Sequence, residues 1–425
     1  MVNYFYDCYQ ILNNVYSEKS FIKQAINSTF IEEKNRALIV KTCYGVLDKD
    51  IELSYYIKKL TEKSPKLVIR TILKISMYAI KYLEKKEYAV TKNAVELTKK
   101  LGKGGMSGFV NAFLRKFING DIDMPTDKLE RMSIKYSYPL FALKSLVKDF
   151  GVQRAESIIK AENQQTCLSF YGVDGQKYLK DKNIEFEKTP FDNVLLAKNF
   201  TRNNDYDLGV YTYQALGSVA ICDIVEPCEN LLDCCAAPGG KSIRLSYKVN
   251  NVTSWDIHEH RVGLIEEYKK RMKRDNITAV CKDSKVLDND LIEKFDAVLC
   301  DAPCSGIGVI NDNPDIKLNR EEINVKELNV EQLAILKTVS NYVKKGGYLY
   351  YSTCSVLSSE NIEIIKAFMS DIKGFEICKI DSKLLHEDVL GTNLFLPDIS
   401  GGLGFYVAKL KRVNKIEKLF IELHF

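Results

Sequence analysis

Through the first part of the chain, apolar residues recur at the spacing of a helix face. Phe5, Cys8, Leu12 and Val15 keep that period, and Ala37, Val40, Tyr44 and Leu47 repeat it in a second segment. Such a stripe buries one side of a helix against a core. Residues 3–121 are therefore predicted to be all-helical. Ser64-Pro65 offers an N-cap followed by a proline in the first turn, so one helix is expected over 64–83. Another is expected over 89–101, ended by Gly102, and a shorter one over 109–117. Gly104, Gly105 and Gly108 follow a helix and not a strand. They read as a C-cap and loop. Pro125 and its polar neighbours mark a linker, and the stretch 132–150 contains Tyr138-Pro139 and an apolar-periodic helix. Residues 166–213 alternate in a strand-like way between turn residues, which predicts a small α/β piece.

From Asn230 the pattern changes to short apolar runs separated by amphipathic stretches. Strands are expected at 230–235, 252–256, 278–282, 295–300 and 348–353, with helices near 241–249, 261–273 and 330–344. A helix over 360–369, capped by the serines before it, and a last strand over 404–410 follow. Alternating strand and helix predicts a doubly wound parallel sheet. The fold class is thus multidomain: an all-α domain, a small α/β subdomain, then a Rossmann-like α/β domain. Residues 413–425 carry no readable pattern.

Composition narrows the class. The chain has 425 residues, with 46% hydrophobic and 28% charged, which suits a soluble globular protein of two or three domains. The net charge of +5 permits a nucleic-acid partner without demanding one. No apolar run approaches the ~20 residues that span a bilayer. The N-terminus lacks a signal-peptide pattern. Twelve cysteines lie scattered with no C-x-x-C pair, and there are four histidines, so no metal site is expected. Reduced thiols in a cytoplasmic protein are the expectation.

The densest chemistry lies at Leu231-Leu232-Asp233-Cys234-Cys235-Ala236-Ala237-Pro238-Gly239-Gly240-Lys241-Ser242. An apolar strand end meets a proline and two glycines, and then a helix begins. A P-loop needs glycine where Cys235 stands, and the G-x-G-x-x-G fingerprint is absent. A tight turn and a ligand-binding turn both remain open on the glycines alone. Three acids stand at or after the next strand ends: Asp256, Asp283 and Asp301. Asp256 comes about 20 residues after the glycines, where an acid accepts from ribose hydroxyls. One acid at a strand end is often only a cap. Three in succession behind a glycine turn argue for a nucleoside ligand.

Two cysteines occupy the same edge, in Asp301-Ala302-Pro303-Cys304-Ser305-Gly306 and in Ser352-Thr353-Cys354-Ser355. Most lone cysteines are core residues. A thiol at a functional sheet edge also suits a nucleophile.

The glycine turn resembles the S-adenosylmethionine loop of the RNA (cytosine-5)-methyltransferases. The stretches 89–100 and 108–116 resemble the NusB-like RNA-binding domain that precedes the catalytic part of the RsmB type, also called the Sun or Fmu family. Residues 308–317 and 355–361 resemble its further segments, with Asn311, Asp312 and Asn313 in place of basic residues and Leu318 in place of a tryptophan. The resemblance implies a class I methyltransferase fold behind a NusB-like domain. Its implied bounds are 1–122 for the helical domain, 123–213 for the linker helix and RNA-binding subdomain, 214–412 for the methyltransferase domain and 413–425 for a tail. It implies S-adenosyl-L-methionine as cofactor, held by Cys235, Ala236, Ala237, Pro238, Gly239, Gly240, Lys241, Asp256, Asp283 and Asp301, without a metal. By the same resemblance Cys354 is the nucleophile that adds to carbon 6 of cytosine, and Cys304 assists proton removal and release. The reverse assignment stays open, because DNA cytosine enzymes use the Pro-Cys cysteine. The implied partner is 16S rRNA, with no membrane and no obligatory protein partner, the enzyme acting as a monomer. Transfer RNA as substrate and a silent RNA-binding scaffold are the alternatives.

Overall fold

The computed structural model describes residues 2–162, 165–319 and 321–413. The chain divides into two compact units. The first comprises Met1–Lys160 with Ile310–Glu321, and the second Ala161–Val309 with Glu322–Phe425. Of the predicted tail, all but Val413 lies outside the described residues.

The first unit is helical, as its periodicity predicts. Its centre is the helix Leu67–Lys81, with Ile69, Ile72, Leu73, Ile75, Met77 and Ala79 all buried. A helix apolar all round must be enclosed. Val2–Glu18, Glu33–Asp48, Asp50–Leu60, Glu87–Lys100 and Ser107–Asn119 enclose it. The buried Lys74 is neutralised by Asp50 at 2.6 Å, which also accepts from the Tyr16 hydroxyl at 2.5 Å. A buried ammonium persists only with such a partner. Lys58, Lys59, Lys85, Lys86, Lys99, Lys100 and Lys103 are all exposed. Lys58, Lys59, Lys99 and Lys100 occupy last helical turns, where the helix dipole favours a cation.

Two boundaries differ from expectation here. The central helix starts at Leu67, not at Ser64. Its N-cap is Lys66, extended at ψ 154°, and no side chain caps it. The stretch 132–150, expected to contain one apolar-periodic helix, holds the end of Lys128–Lys135 and a helix that starts at Leu140 and is broken at Gly151 (φ 74°, ψ 165°) before helix continues to Lys160. Tyr138 precedes Pro139, and a residue before proline avoids the helical region.

The second unit begins with a small antiparallel sheet. Its strands are β1 (Thr166–Phe170), β2 (Phe186–Lys188), β3 (Val194–Ala197) and β4 (Tyr211–Tyr213), in the order β2-β3-β1-β4. The large sheet follows, with β5 (Asn230–Asp233), β6 (Asn251–Asp256), β7 (Ile277–Cys281), β8 (Phe295–Asp301) and β9 (Val343–Thr353) all parallel. Then come β10 (Phe375–Cys378), β11 (Glu387–Val389), β12 (Thr392–Phe395) and β13 (Phe405–Arg412). The order is β11-β12-β13-β9-β8-β5-β6-β7, with β10 also paired to β13. β5 thus feeds β6 on one side and has β8 on the other. That reversal opens a crevice at the carboxyl ends of the strands.

Three expectations are corrected in this unit. The helix predicted over 330–344 runs Glu322–Ser340, and Val343 already pairs with Phe295 in β9. The helix predicted over 360–369 is Ile362–Asp371, after a 3-10 turn at Ser358–Glu360, and no serine caps it. The antiparallel strands β10, β11 and β12 were not foreseen.

Candidate functional site

β5 ends at Asp233, and the chain turns sharply before the helix Gly240–Leu245. The turn is tied from several sides. Ala236 donates its N–H to the Trp255 carbonyl at 2.7 Å, and Gly239 donates to the Ala236 carbonyl at 2.7 Å. Gln214 donates to the Gly240 carbonyl at 3.3 Å, and Arg261 to the Ala237 carbonyl at 3.1 Å. Gly239 has φ +103°, and an added Cβ would lie 3.4 Å from the backbone of Ile265. Only glycine takes that conformation freely, so the tight turn depends on it.

The predicted site residues divide about this turn. On one side, Asp256 closes β6 and is buried. Its carboxylate accepts from the His258 N–H at 3.1 Å and lies 3.4 Å from Arg261. Asp283 stands two residues past β7, half-buried, and accepts from the Lys285 N–H at 2.9 Å. On the other side, Asp301 closes β8. It accepts from Ser352 at 2.7 Å and pairs with Lys241 at 2.6 Å. Lys241 and Asp301 are thus engaged with each other. Burial opposes the Lys241 charge, yet the Asp301 carboxylate holds its pKa above the ordinary value.

β8 and β9 are adjacent and parallel, with Asp301 opposite Ser352. The loops leaving their carboxyl ends must therefore meet. Cys304 and Cys354 sit in those loops with their Sγ atoms 3.3 Å apart. The Cys304 thiol is pushed well up, first by the hydrogen bond with Cys354, then by burial, with the negative field of Glu360 adding to it. The pair in its resting state keeps a proton on Cys304.

Asp233 lies beneath the turn, fully buried, and accepts from the Ser242 hydroxyl at 2.6 Å. Its other oxygen has no hydrogen-bond partner among the described residues. Burial raises its pKa to about 7.

These residues suit the cofactor that the resemblance implies. Carboxylates after β6 and β7 are acceptors of the kind that ribose hydroxyls and an adenine amino group require. The glycine turn removes side chains where a ligand must approach the backbone. Among the described residues, no cluster of three or more His, Cys, Asp or Glu is placed to hold a metal. All twelve cysteines are free. Sequence reasoning missed Gln332 and Glu360, both fully buried beside the cysteine loops. Glu360 falls in the stretch 355–361 that carries the resemblance but was given no role there, and no local pattern marks Gln332, whose partners Pro303 and Glu360 are distant in sequence.

Comparisons with known proteins agree with this architecture. The family model for 16S rRNA methyltransferase RsmB/F matches residues 223–411, and that for the NusB family matches residues 6–119. The crystal structure of PH0851 shares the fold at TM-score 0.83 and 19% identity, covering 97% of this chain and 98% of that one. NSun6 from Pyrococcus horikoshii aligns at TM-score 0.58 and 17% identity, over 65% of this chain and 99% of its own. The ribosomal RNA small subunit methyltransferase B of Proteus mirabilis is 28% identical over 91% of this chain and 94% of its own. The probable ribosomal RNA small subunit methyltransferase B of Bacillus subtilis is 32% identical over 94% of this chain and 95% of its own. With identity at that level along nearly the whole of both chains, and a NusB match ahead of a methyltransferase match, the chain belongs to the ribosomal RNA small subunit methyltransferase B family.

Proposed function

We propose that the protein methylates carbon 5 of one cytosine in 16S rRNA, with Cys354 as nucleophile and Cys304 assisting proton removal and release. The observation that carries this reading is the pair of sulfurs 3.3 Å apart at the carboxyl edge of β8 and β9. S-adenosylmethionine supplies an electrophilic methyl group when bound. Cys235 to Lys241, Asp256, Asp283 and Asp301 are the residues assigned to hold it.

Carbon 5 of cytosine is too weak a nucleophile to take that methyl unaided. The Cys354 thiolate adds to carbon 6, and the ring electrons gained make carbon 5 enamine-like. After carbon 5 is methylated its proton must leave. Cys354 is then a neutral thioether, so its push on Cys304 falls away, and Cys304 releases its own proton to solvent. Cys304 takes the proton, the 5,6 double bond re-forms, and the Cys354–carbon 6 bond breaks. A paired base is out of reach, so the target cytosine must be unpaired or flipped. In this reading the enzyme works in the cytoplasm as a monomer.

The test uses Cys304→Ala and Cys354→Ala with ribosomal RNA and S-adenosylmethionine, read as a covalent protein–RNA band on a denaturing gel. Cys304→Ala is expected to accumulate the band, and Cys354→Ala to give none. The reverse result swaps the two roles. Absence of a band in both, with no methyl transfer by the wild type, leaves the RNA-binding scaffold as the better reading.

A further inference from the structure

Behind the two cysteines lies a buried polar cluster with an acid at its centre. Glu360 is 0% exposed and ends the 3-10 turn after β9. One carboxylate oxygen accepts from the Ser305 N–H at 2.7 Å and from the Gln332 side-chain amide at 3.2 Å. The other accepts from the Ser305 and Ser355 hydroxyls, each at 2.5 Å. Gln332 also donates to the Pro303 carbonyl at 2.9 Å. Asn361 completes the set: it accepts from the Thr353 hydroxyl at 2.6 Å and donates to the Ser355 carbonyl at 2.9 Å.

The residues held are the chain neighbours of both cysteines. Pro303 and Ser305 flank Cys304, and Thr353 and Ser355 flank Cys354. A buried carboxylate is costly unless its lone pairs are met, and here four donors meet them. Ser305 and Ser355 come from different strand ends, and Glu360 is the group on which both hydroxyls converge. Hydrogen bonds to a charged acceptor are short and directional, so the clamp fixes one loop against the other.

We propose that Glu360 is a positioning residue that sets the sulfur-to-sulfur distance of Cys304 and Cys354. The inference rests on the two-cysteine reaction proposed above, though the clamp itself acts in the free protein. Glu360 touches neither substrate nor cofactor in this scheme. It keeps Cys304 within proton-transfer reach of the site that Cys354 attacks.

The experiment compares Glu360→Gln and Ser355→Ala with the wild type. Glutamine has the same shape but no charge, and with its NH2 group toward the two hydroxyls it turns them from donors into acceptors, so the short charge-assisted bonds of the clamp are lost. The first readout needs neither RNA nor cofactor. Phenylarsine oxide captures two adjacent thiols, forming two As–S bonds and releasing water, and the relevant signal is the part that Cys304→Ala abolishes. Glu360→Gln is expected to slow this capture about tenfold, and kcat for methyl transfer is expected to fall at least about tenfold, as misplacement of reacting groups does. KM for RNA is expected to stay within about twofold, because no RNA contact is lost. Ser355→Ala, which removes one donor, is expected to move capture and kcat the same way by less.

Unchanged capture and unchanged kcat in a folded Glu360→Gln overturn the proposal. If Glu360→Gln does not fold, Ser355→Ala decides alone, and wild-type values there overturn it. Altered capture in a protein whose wild type transfers no methyl group keeps the clamp and rejects the proposed reaction.

Discussion

The Nζ of Lys241 lies 2.6 Å from Oδ2 of Asp301, joining the glycine turn after β5 to the end of β8. Both side chains are largely buried, at 13% and 26% exposure, and Asp301 is further fixed by the Ser352 hydroxyl. The pair therefore links the glycine turn to the loop that carries Cys304. Residues that act as a unit are not additive on mutation. Lys241→Met and Asp301→Asn are each expected to lower kcat by roughly a hundredfold, and the double variant by little more than either single one. Steady-state kinetics of the three variants check this. Fully multiplicative losses would mean that the two residues act separately.

A second expectation concerns pH. Asp233 is fully buried, with its pKa raised to about 7 by burial. In the unfolded chain the same carboxyl titrates near 4. The folded state therefore holds this proton more tightly than the unfolded state does. Stability from the protonated group is complete below about pH 4 and is lost as pH rises through about 7. Asp233→Asn keeps an acceptor for Ser242 and cannot ionise. Its melting temperature relative to wild type is expected to rise between pH 5 and 8. The free-energy difference amounts to a few kcal/mol at most, since each pKa unit is worth about 1.4 kcal/mol. A difference in melting temperature that stays flat across this range would refute the assignment.

The site was readable where chemistry and periodicity coincide along the chain. The β5 run, the glycine turn and the strand-end acids Asp256 and Asp301 lie within a few residues of the expected positions, because a buried parallel strand must be apolar and must end at the crevice. Boundaries failed where a local rule met a stronger one. Ser64-Pro65 looks like a helix start, yet the apolar stripe begins at Leu67 and the helix follows the stripe. The polar turn at Glu322 hid the start of the helix Glu322–Ser340. β12 is buried throughout and β11 is three residues long, so neither shows an alternation to detect. Glu360 was out of reach for a different reason. Its role depends on Ser305 and Ser355, which only the pairing of β8 with β9 brings together.

Gly308 supplies a steric test of the cysteine loop. Its N–H donates to the Cys354 carbonyl at 3.0 Å, and its own carbonyl accepts from the Gly404 N–H at 2.6 Å. A Cβ on Gly308 would fall 2.2 Å from the Gly404 carbonyl oxygen and 2.8 Å from that of Cys354. Backbone atoms cannot step aside as a flexible side chain can. Gly308→Ala is therefore expected to cost about 2 kcal/mol of stability by overpacking. It is also expected to lower kcat by about tenfold or more through displacement of Cys354. Denaturant unfolding and single-turnover methyl transfer read the two effects separately. Wild-type rates in a destabilised protein would show that the loop tolerates the shift.

The last expectation lies in the first unit, where Lys317 has a side chain only 2% exposed. Its ammonium donates to the Asp48 carbonyl at 2.6 Å and to the Asp48 carboxylate at 2.8 Å. Burial pulls the Lys317 pKa down, and Asp48 is the chief group opposing that. The Asp48 carboxyl is raised by burial, but Lys317 and Lys49 bring it below the ordinary value. Asp48 thus contributes stability above about pH 4 that is lost as the pH falls through its lowered folded pKa. Removing one member of such a pair strands the other, whereas replacing the buried charge by an apolar chain of similar length does not. Asp48→Asn is expected to cost about 2 kcal/mol near neutral pH, below the full figure for a buried pair because Asp48 is partly exposed. Lys317→Met is expected to change stability by less than about 1 kcal/mol in either direction. Urea unfolding at pH 7 compares the two. Equal losses in both variants would mean that the pair stabilises the fold by its attraction, and not that Asp48 serves mainly to offset a buried charge.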